Sequence, residues 1–171
     1  MFPSQKWFER KFEFDLSVWM FPNVVERLRG TPARLAERVA GLRPEVLTRR
    51  DGEQWSIQEH VGHLGDLEPI HFKRMQDFLS GVELLTPADL SNRRTYEANH
   101  NAADLATLLE FFRRSRLQLV QLLDNIGEEQ AQLTALHPRL KTPMRLIDSN
   151  FFWAEHDDHH LAIITSLIKK F

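Results

Sequence analysis

The sequence predicts an all-α protein, a four-helix bundle with a crossover connection and an aromatic N-terminal arm. Three observations carry this. Seven Gly in 171 residues, and few runs of β-branched residues, argue against a sheet protein. The apolar residues recur at intervals of three and four, the period of an amphipathic helix. Four such segments of about 20 to 28 residues suffice for a bundle. No internal repeat, low-complexity tract or linker separates them, so residues 1–171 are expected to form one domain.

Each element follows in order. Trp7, Phe8, Phe12, Phe14 and Trp19 form an aromatic arm expected to pack on the bundle. The first helical segment runs from Pro22 to Leu42, with Val24, Leu28, Leu35, Val39 and Leu42 inward. Gly30-Thr31-Pro32 interrupts it; Thr31 suits an N-cap and Pro32 a first turn, which gives either a kink or two helices end to end. The second segment opens on a capping box, Ser56 and Glu59, and continues to Leu79. Ile57, Val61, Leu64, Phe72, Met75 and Leu79 face inward, and Pro69, crowding the Gly65 carbonyl, is expected to bend it. Residues 81–102 are polar and long for a hairpin, which suggests a crossover. The third segment, Ala103 to Ile126, carries the stripe Leu105, Leu109, Phe112, Leu119, Leu123 and Ile126, with Arg116 on the same face and Gly127 as a stop. The fourth opens at Thr142-Pro143, cap then first-turn proline, and runs to about Lys169.

Composition excludes several functions. A net charge of -2 gives no basic footprint, so no nucleic-acid partner is expected. The absence of Cys removes disulfides, thiolate metal sites and a cysteine nucleophile; any thiol in the chemistry comes from outside. No run of about 18 uncharged apolar residues is present, so no membrane span is expected. Met1 to Trp7 lack a signal-peptide profile, and the chain is expected in the cytoplasm.

The informative segment is Glu155-His156-Asp157-Asp158-His159-His160. His156 and His160 lie on one helix face, about 6 Å apart along the axis. They fall on the inner stripe Phe152, His156, His160, Ile163 and Leu167, where the pattern asks for apolar side chains. A divalent metal held by both rings would compensate for burying them. A third ligand should come from a facing helix. His63, beside Gly62 and Gly65, is the best placed, with His60 one turn earlier as the alternative. Three His leave a coordination position open, as catalytic sites do. His159 is expected to point aside. Asp157 and Asp158 are either solvated or accept the free N–H of a ligating ring. Arg116 is a snorkelling, paired or substrate-clamping side chain, and Asn150 is a pocket candidate. Phe152 and Trp153 belong to the core. Glu68-Pro69-Ile70-His71 has a di-iron spacing but no counterpart, and reads as coincidence. No phosphate-binding glycine loop, His-Glu-x-x-His or Gly-x-Ser-x-Gly occurs.

Two ordered motifs carry a family resemblance. Trp55-Ser56-Ile57-Gln58-Glu59-His60-Val61-Gly62-His63-Leu64 resembles the W-S-x-x-E-x-x-x-H-L segment of the DinB/YfiT-like superfamily. His156-Asp157-Asp158-His159-His160-Leu161-Ala162-Ile163-Ile164 resembles its H-x-x-H-H-x-x-x-I motif, and Leu28 to Leu35 a first-helix segment. Many members continue with Arg-Gly-Gln; Leu161-Ala162-Ile163 stands here instead, nearer the YfiT-like branch. The resemblance implies a bundle of DinB-like type, often a homodimer, with a divalent metal (Zn or Ni, or Fe, Mn or Cu) on His63, His156 and His160. It also implies a low-molecular-weight thiol cosubstrate, as in the bacillithiol transferases and thiol-dependent isomerases of the family. The expected function is a metal-dependent thiol S-transferase or isomerase acting on a small-molecule substrate, with His60 or His159 as base. The alternatives are a metal-dependent hydrolase and a non-catalytic, stress-associated metal-binding module.

Overall fold

The computed structural model describes residues 5–171. Met1 to Ser4, part of the start read for a targeting signal, lie outside the described residues. Eight helices and one short hairpin follow in order: α1 (Phe21–Val39), α2 (Pro44–Leu47), α3 (Ile57–Asp66), α4 (Glu68–Leu79), α5 (Arg93–Glu97), α6 (Leu105–Leu123), α7 (Glu128–Ala131), β1 (Thr134–Leu136), β2 (Pro143–Arg145) and α8 (Leu146–Lys170). The four rods of the bundle are α1, the bent pair α3–α4, α6 and α8. Both α1 and α3 pack on α6 and α8, so they face each other across the bundle diagonal. The chain therefore crosses over between α1 and α3 and again between α6 and α8. Residues 81–102, read above as the crossover, instead lie between the neighbouring helices α4 and α6.

Local chemistry sets the helix ends. The Ser56–Glu59 capping box forms in both directions: the Ser56 N–H donates to Glu59 Oε2 at 2.8 Å and the Glu59 N–H to Ser56 Oγ at 3.2 Å. Pro69 falls in the first turn of α4, so the expected bend is a break at Leu67 between two helices. Pro32, by contrast, sits inside one continuous α1. It has no N–H to give the Leu28 carbonyl four residues back. Arg116 Nη1 donates to that oxygen across the core at 3.3 Å.

The hairpin is the part the sequence reading missed. Thr142-Pro143 is not the start of the fourth helix. Pro143 lies in β2, opposite Leu136 of β1, and α8 begins three residues later, where Asp148 accepts the Arg145 N–H. Gly127 does not close α6; it precedes α7 with an ordinary φ of -82°, its N–H given to Gln130. On the α3–α4 rod, Phe78 is buried where Leu79 was expected, and Leu79 is exposed.

The arm also divides. Residues 11–17 form neither helix nor strand, and along 11–18 exposure alternates outward and inward, so Phe12, Phe14, Leu16 and Val18 pack on the core. Trp7 packs on Phe152 and Phe12, whereas Phe8 and Trp19 are exposed and do not join the bundle. Among the described residues, no helix is long and apolar enough to cross a membrane.

Arg116 is wholly buried on α6 and bridges Glu68 of α4 and Asp157 of α8. This decides three expectations at once. Arg116 is a structural ion-pair residue, not a substrate clamp. Asp157 is neither solvated nor bonded to a ligating imidazole. Glu68 belongs to this network, with His71 at 3.3 Å, which gives the Glu-x-x-His spacing a structural role. Burial opposes the Glu68 charge, yet Arg116 and His71 outweigh it and hold its pKa below the usual carboxylate value.

Replacing Arg116 by Met strands two carboxylates in the core. The expected cost is about 3–5 kcal/mol in urea unfolding at pH 7. Glu68 has a depressed folded pKa, so its stabilising share in the parent is present above the unfolded value and lost as pH falls through the folded one. In the variant Glu68 loses the charge that holds its pKa down, so it gains a proton more readily and the gap should narrow as the pH falls towards the carboxylate range. An equal gap at pH 7 and in that range would show that the triad is not what holds these helices.

Candidate metal centre

His63 stands on α3, and His156 and His160 on consecutive turns of α8. One ring nitrogen from each lies within 4.8 Å of the other two. His156 Nε2 and His160 Nε2 are 3.2 Å apart. His63 and His160 are buried, and His156 is partly open to a cavity. Burial lowers the pKa of all three, to about 4 for His63 and well below the ordinary value for the other two. Three neutral imidazoles thus meet, each with a lone pair available.

The surroundings fix the orientation of His63. Its Nδ1 lies 3.0 Å from Thr95 Oγ1, and that hydroxyl donates to Asp66 Oδ2 at 2.9 Å. A hydroxyl with one proton given to Asp66 can only accept from the ring. The His63 proton is therefore on Nδ1, which leaves the Nε2 lone pair free. Asp66 is also held by His100 Nε2 at 2.8 Å. Gln58 Nε2 donates to the carbonyls of His100 and Ala103 at 2.7 and 2.8 Å, fixing the 3₁₀ turn there. The His100 ring lies against the α3 backbone at Gly62, where a Cβ would overlap it. Gly62 is thus required by a close approach.

His160 is oriented by His60, whose Nδ1 is 2.8 Å from His160 Nδ1. Burial, with the nearby imidazoles, lowers the His60 pKa to about 3. His60, the alternative third ligand, supports His160 from behind and does not line the cavity. The indole of Trp55 lies 4.7 Å from the His63 ring and stacks on His160 at 6.4 Å. Trp7 from the arm meets His156 edge-on at 4.9 Å.

A cavity of about 280 Å³ opens in front of the three rings. Its walls are largely aromatic and aliphatic: Trp7, Trp55, Leu67, Ile70, Phe152 and Trp153. His159 also lines it, beside Trp7, so it does not point aside as expected. Burial and then the Arg10 charge lower its pKa. Asn150 does not reach the cavity; its amide donates to the Leu146 carbonyl at 2.8 Å. Asp158 is taken by Arg27 and Arg34 of α1, at 2.8 and 2.7 Å, and binds no ring nitrogen. Sequence reasoning missed Asp66, three residues after His63, and also Thr95 and His100, which lie between α4 and α6, far from the histidine motifs. It also missed Arg74, His137 and Arg139, which line the cavity beside Phe152.

The donor set suits a divalent cation. A tetrahedral zinc with about 2.0–2.1 Å bonds needs ligand nitrogens roughly 3.3 Å apart, near the His156–His160 spacing. The buried His156 Nδ1 has no hydrogen-bond partner among the described residues, so that ring is held by packing.

The family model of the DinB superfamily matches residues 27–164. The chain belongs to the DinB superfamily. Among solved structures, this DinB-superfamily chain is similar to one described as "YfiT from Bacillus subtilis is a probable metal-dependent hydrolase with an unusual four-helix bundle topology". The TM-score is 0.82 at 23% identity, over 95% of this chain and 93% of that one. It is also similar to the mycothiol-dependent maleylpyruvate isomerase, with a TM-score of 0.67 at 13% identity, over 89% of this chain and 62% of that one. At these identities the likeness is one of fold. No curated protein sequence matches the chain.

Thr95→Val removes the group that fixes the His63 tautomer. It should weaken zinc binding about 10–100-fold, read by competition with a chromophoric chelator. An unchanged affinity would mean that the hydroxyl does not orient the ring. Gly62→Ala should lower the melting temperature by several degrees, because Cβ and the His100 ring claim the same space.

Proposed function

We propose that this chain is a metal-dependent enzyme that activates a low-molecular-weight thiol and delivers it to a small electrophile, as a thiol S-transferase or thiol-dependent isomerase. The observation that carries this reading is the cluster of His63, His156 and His160 at the wall of an apolar cavity with no nucleophile of its own. The chain has no Cys. The one carboxylate lining the cavity is Asp89, and it accepts the N–H of Ser91 and of Arg93, both at 2.9 Å, and the Ser91 hydroxyl. A water nucleophile would find no carboxylate base beside the three rings. A thiol, with a pKa of about 8.5, needs far less help. When bound, a divalent cation supplies the Lewis acidity that lowers this pKa further. Imidazoles favour Zn or Ni, and accommodate Fe, Mn or Cu.

The chain's own residues do the remaining work. Trp55 and Trp7 hold the imidazole faces and keep bulk water away from them. Phe152, Trp153 and Ile70 give the electrophile an apolar bed. Of the cavity-lining imidazoles outside the cluster, His71 is bonded to Glu68 and His137 to the Leu140 N–H, which leaves His159 placed to take the thiol proton. His60, the other candidate base, is screened from the cavity by His160. The likeness to YfiT from Bacillus subtilis, described as a probable metal-dependent hydrolase, supports a second reading, a metal-dependent hydrolase.

Elemental analysis of purified protein should find about one divalent metal per chain, lost in His160→Ala. With zinc restored, the protein should accelerate conjugation of cysteine to 1-chloro-2,4-dinitrobenzene, and His160→Ala should cut that rate by roughly two orders of magnitude. Equal rates for the two proteins would refute the mechanism. Ester or amide cleavage without added thiol would favour the hydrolase. One bound metal with neither activity would favour a metal-binding module.

A further inference from the structure

On the Phe152 side of the cavity, one turn of α8 before His156, three side chains present hydrogen-bond donors with no acceptor among the described residues. Arg74 is 5% exposed, and its Nε donates to the Thr86 carbonyl at 3.0 Å. The Arg139 guanidinium sits 5.1 Å from the Phe8 ring and 5.7 Å from the Phe152 ring. Its Nη2 is buried and has no partner among the described residues. Neither arginine forms an ion pair among the described residues, whereas Arg10, Arg27, Arg34, Arg116 and Arg145 all do. The nearby carboxylates are engaged elsewhere. Asp77 pairs with Lys73 at 2.9 Å and accepts the Thr86 N–H at 2.7 Å, and Asp89 closes its own turn.

His137 makes the deficit explicit. Its Nδ1 accepts the Leu140 N–H at 3.1 Å. Burial, then the charges of Arg74 and Arg139, lower its pKa to about 3, so the ring is neutral and carries its one proton on Nε2. That nitrogen faces Arg74 Nη1 at 3.3 Å. Both atoms are donors. Two buried N–H groups pointing at each other are unfavourable unless an acceptor lies against both. Arg74, held to about 10 mainly by burial, keeps its charge at neutral pH.

We propose that this corner is a carboxylate subsite, and that the cavity selects a small molecule with an apolar or aromatic body and a terminal carboxylate. The carboxylate oxygens accept from Arg74 Nη1, His137 Nε2 and Arg139 Nη2. The body lies over Phe152, Trp153 and Ile70 towards the three imidazoles. A planar two-oxygen anion matches the guanidinium fork, and a carboxylate offsets part of the charge left by the two unpaired arginines. As the substrate class of the enzyme, this deepens the proposed function and rests on it; as a binding site it stands apart from the metal.

Calorimetry on the full-length protein tests it, as purified and again after chelator treatment. The probes are 3-phenylpropanoate, its neutral amide and phenyl phosphate. The acid should bind at least about tenfold more tightly than the amide in both preparations. Arg139→Gln, at a half-buried site, should abolish that preference while leaving amide binding and the melting curve in place. Arg74→Gln should do the same if it folds; Arg139→Gln decides the matter if it does not. Equal binding of acid and amide overturns the subsite. So does no binding of the acid at about 10 mM, or a preference that survives Arg139→Gln. Tighter binding of phenyl phosphate than of the acid overturns the carboxylate assignment. An acid preference in protein that proves to hold no metal would leave the subsite standing and remove the metal reading.

Discussion

The structure turns on the desolvation of basic rings. His63, His156 and His160 are taken out of water at one level of an apolar bundle, with no carboxylate in hydrogen-bond contact with any of them. Desolvation disfavours protonation, so what the fold presents is a set of lone pairs instead of a set of charges. The neighbouring features serve to keep those lone pairs aimed. The Thr95–Asp66–His100 chain sets one tautomer, His60 backs a second ring, and two indoles restrict how far the rings can turn. Even the glycine at position 62 is explained by this demand, since it admits the ring that holds Asp66.

The arginines in and beside the core show how differently one residue type can be used. Arg116 is matched by two carboxylates and a backbone carbonyl, and ties α1, α4, α6 and α8 together. Nothing remains on it for a ligand. Arg74 and Arg139 are left unmatched beside an open volume. Burial alone does not separate a structural cation from a binding one; the account of its partners does.

The four helical rods, the Ser56–Glu59 cap and the pairing of His156 with His160 are legible in the sequence, because each rests on a local period or a fixed spacing; the residues alone leave His63 and His60 open as the third ring, and the family resemblance implies His63. His156 and His160 stood out as polar rings on an apolar stripe. What was not legible depends on which face of a helix meets which neighbour. Asp157 follows a candidate ligand directly, but the helix turns it by about 100° towards Arg116. Asn150 lies on the same helix yet closes on its own preceding turn. The β1–β2 hairpin has three-residue strands, too short for a period of two to register, and Thr142-Pro143 mimics a helix start. Arg74, His137 and Arg139 come from a helix and a loop with no motif in common. Only the fold brings them to one wall.

The filled gap in α1 has a wider implication. Pro32 leaves the Leu28 oxygen without its helical donor, and Arg116, 88 positions along the chain from Leu28, answers it. The arginine thus answers two deficits at once, a helical carbonyl and a pair of core carboxylates. A lineage that lost it would leave both open, and an N–H restored at position 32 would meet only the first.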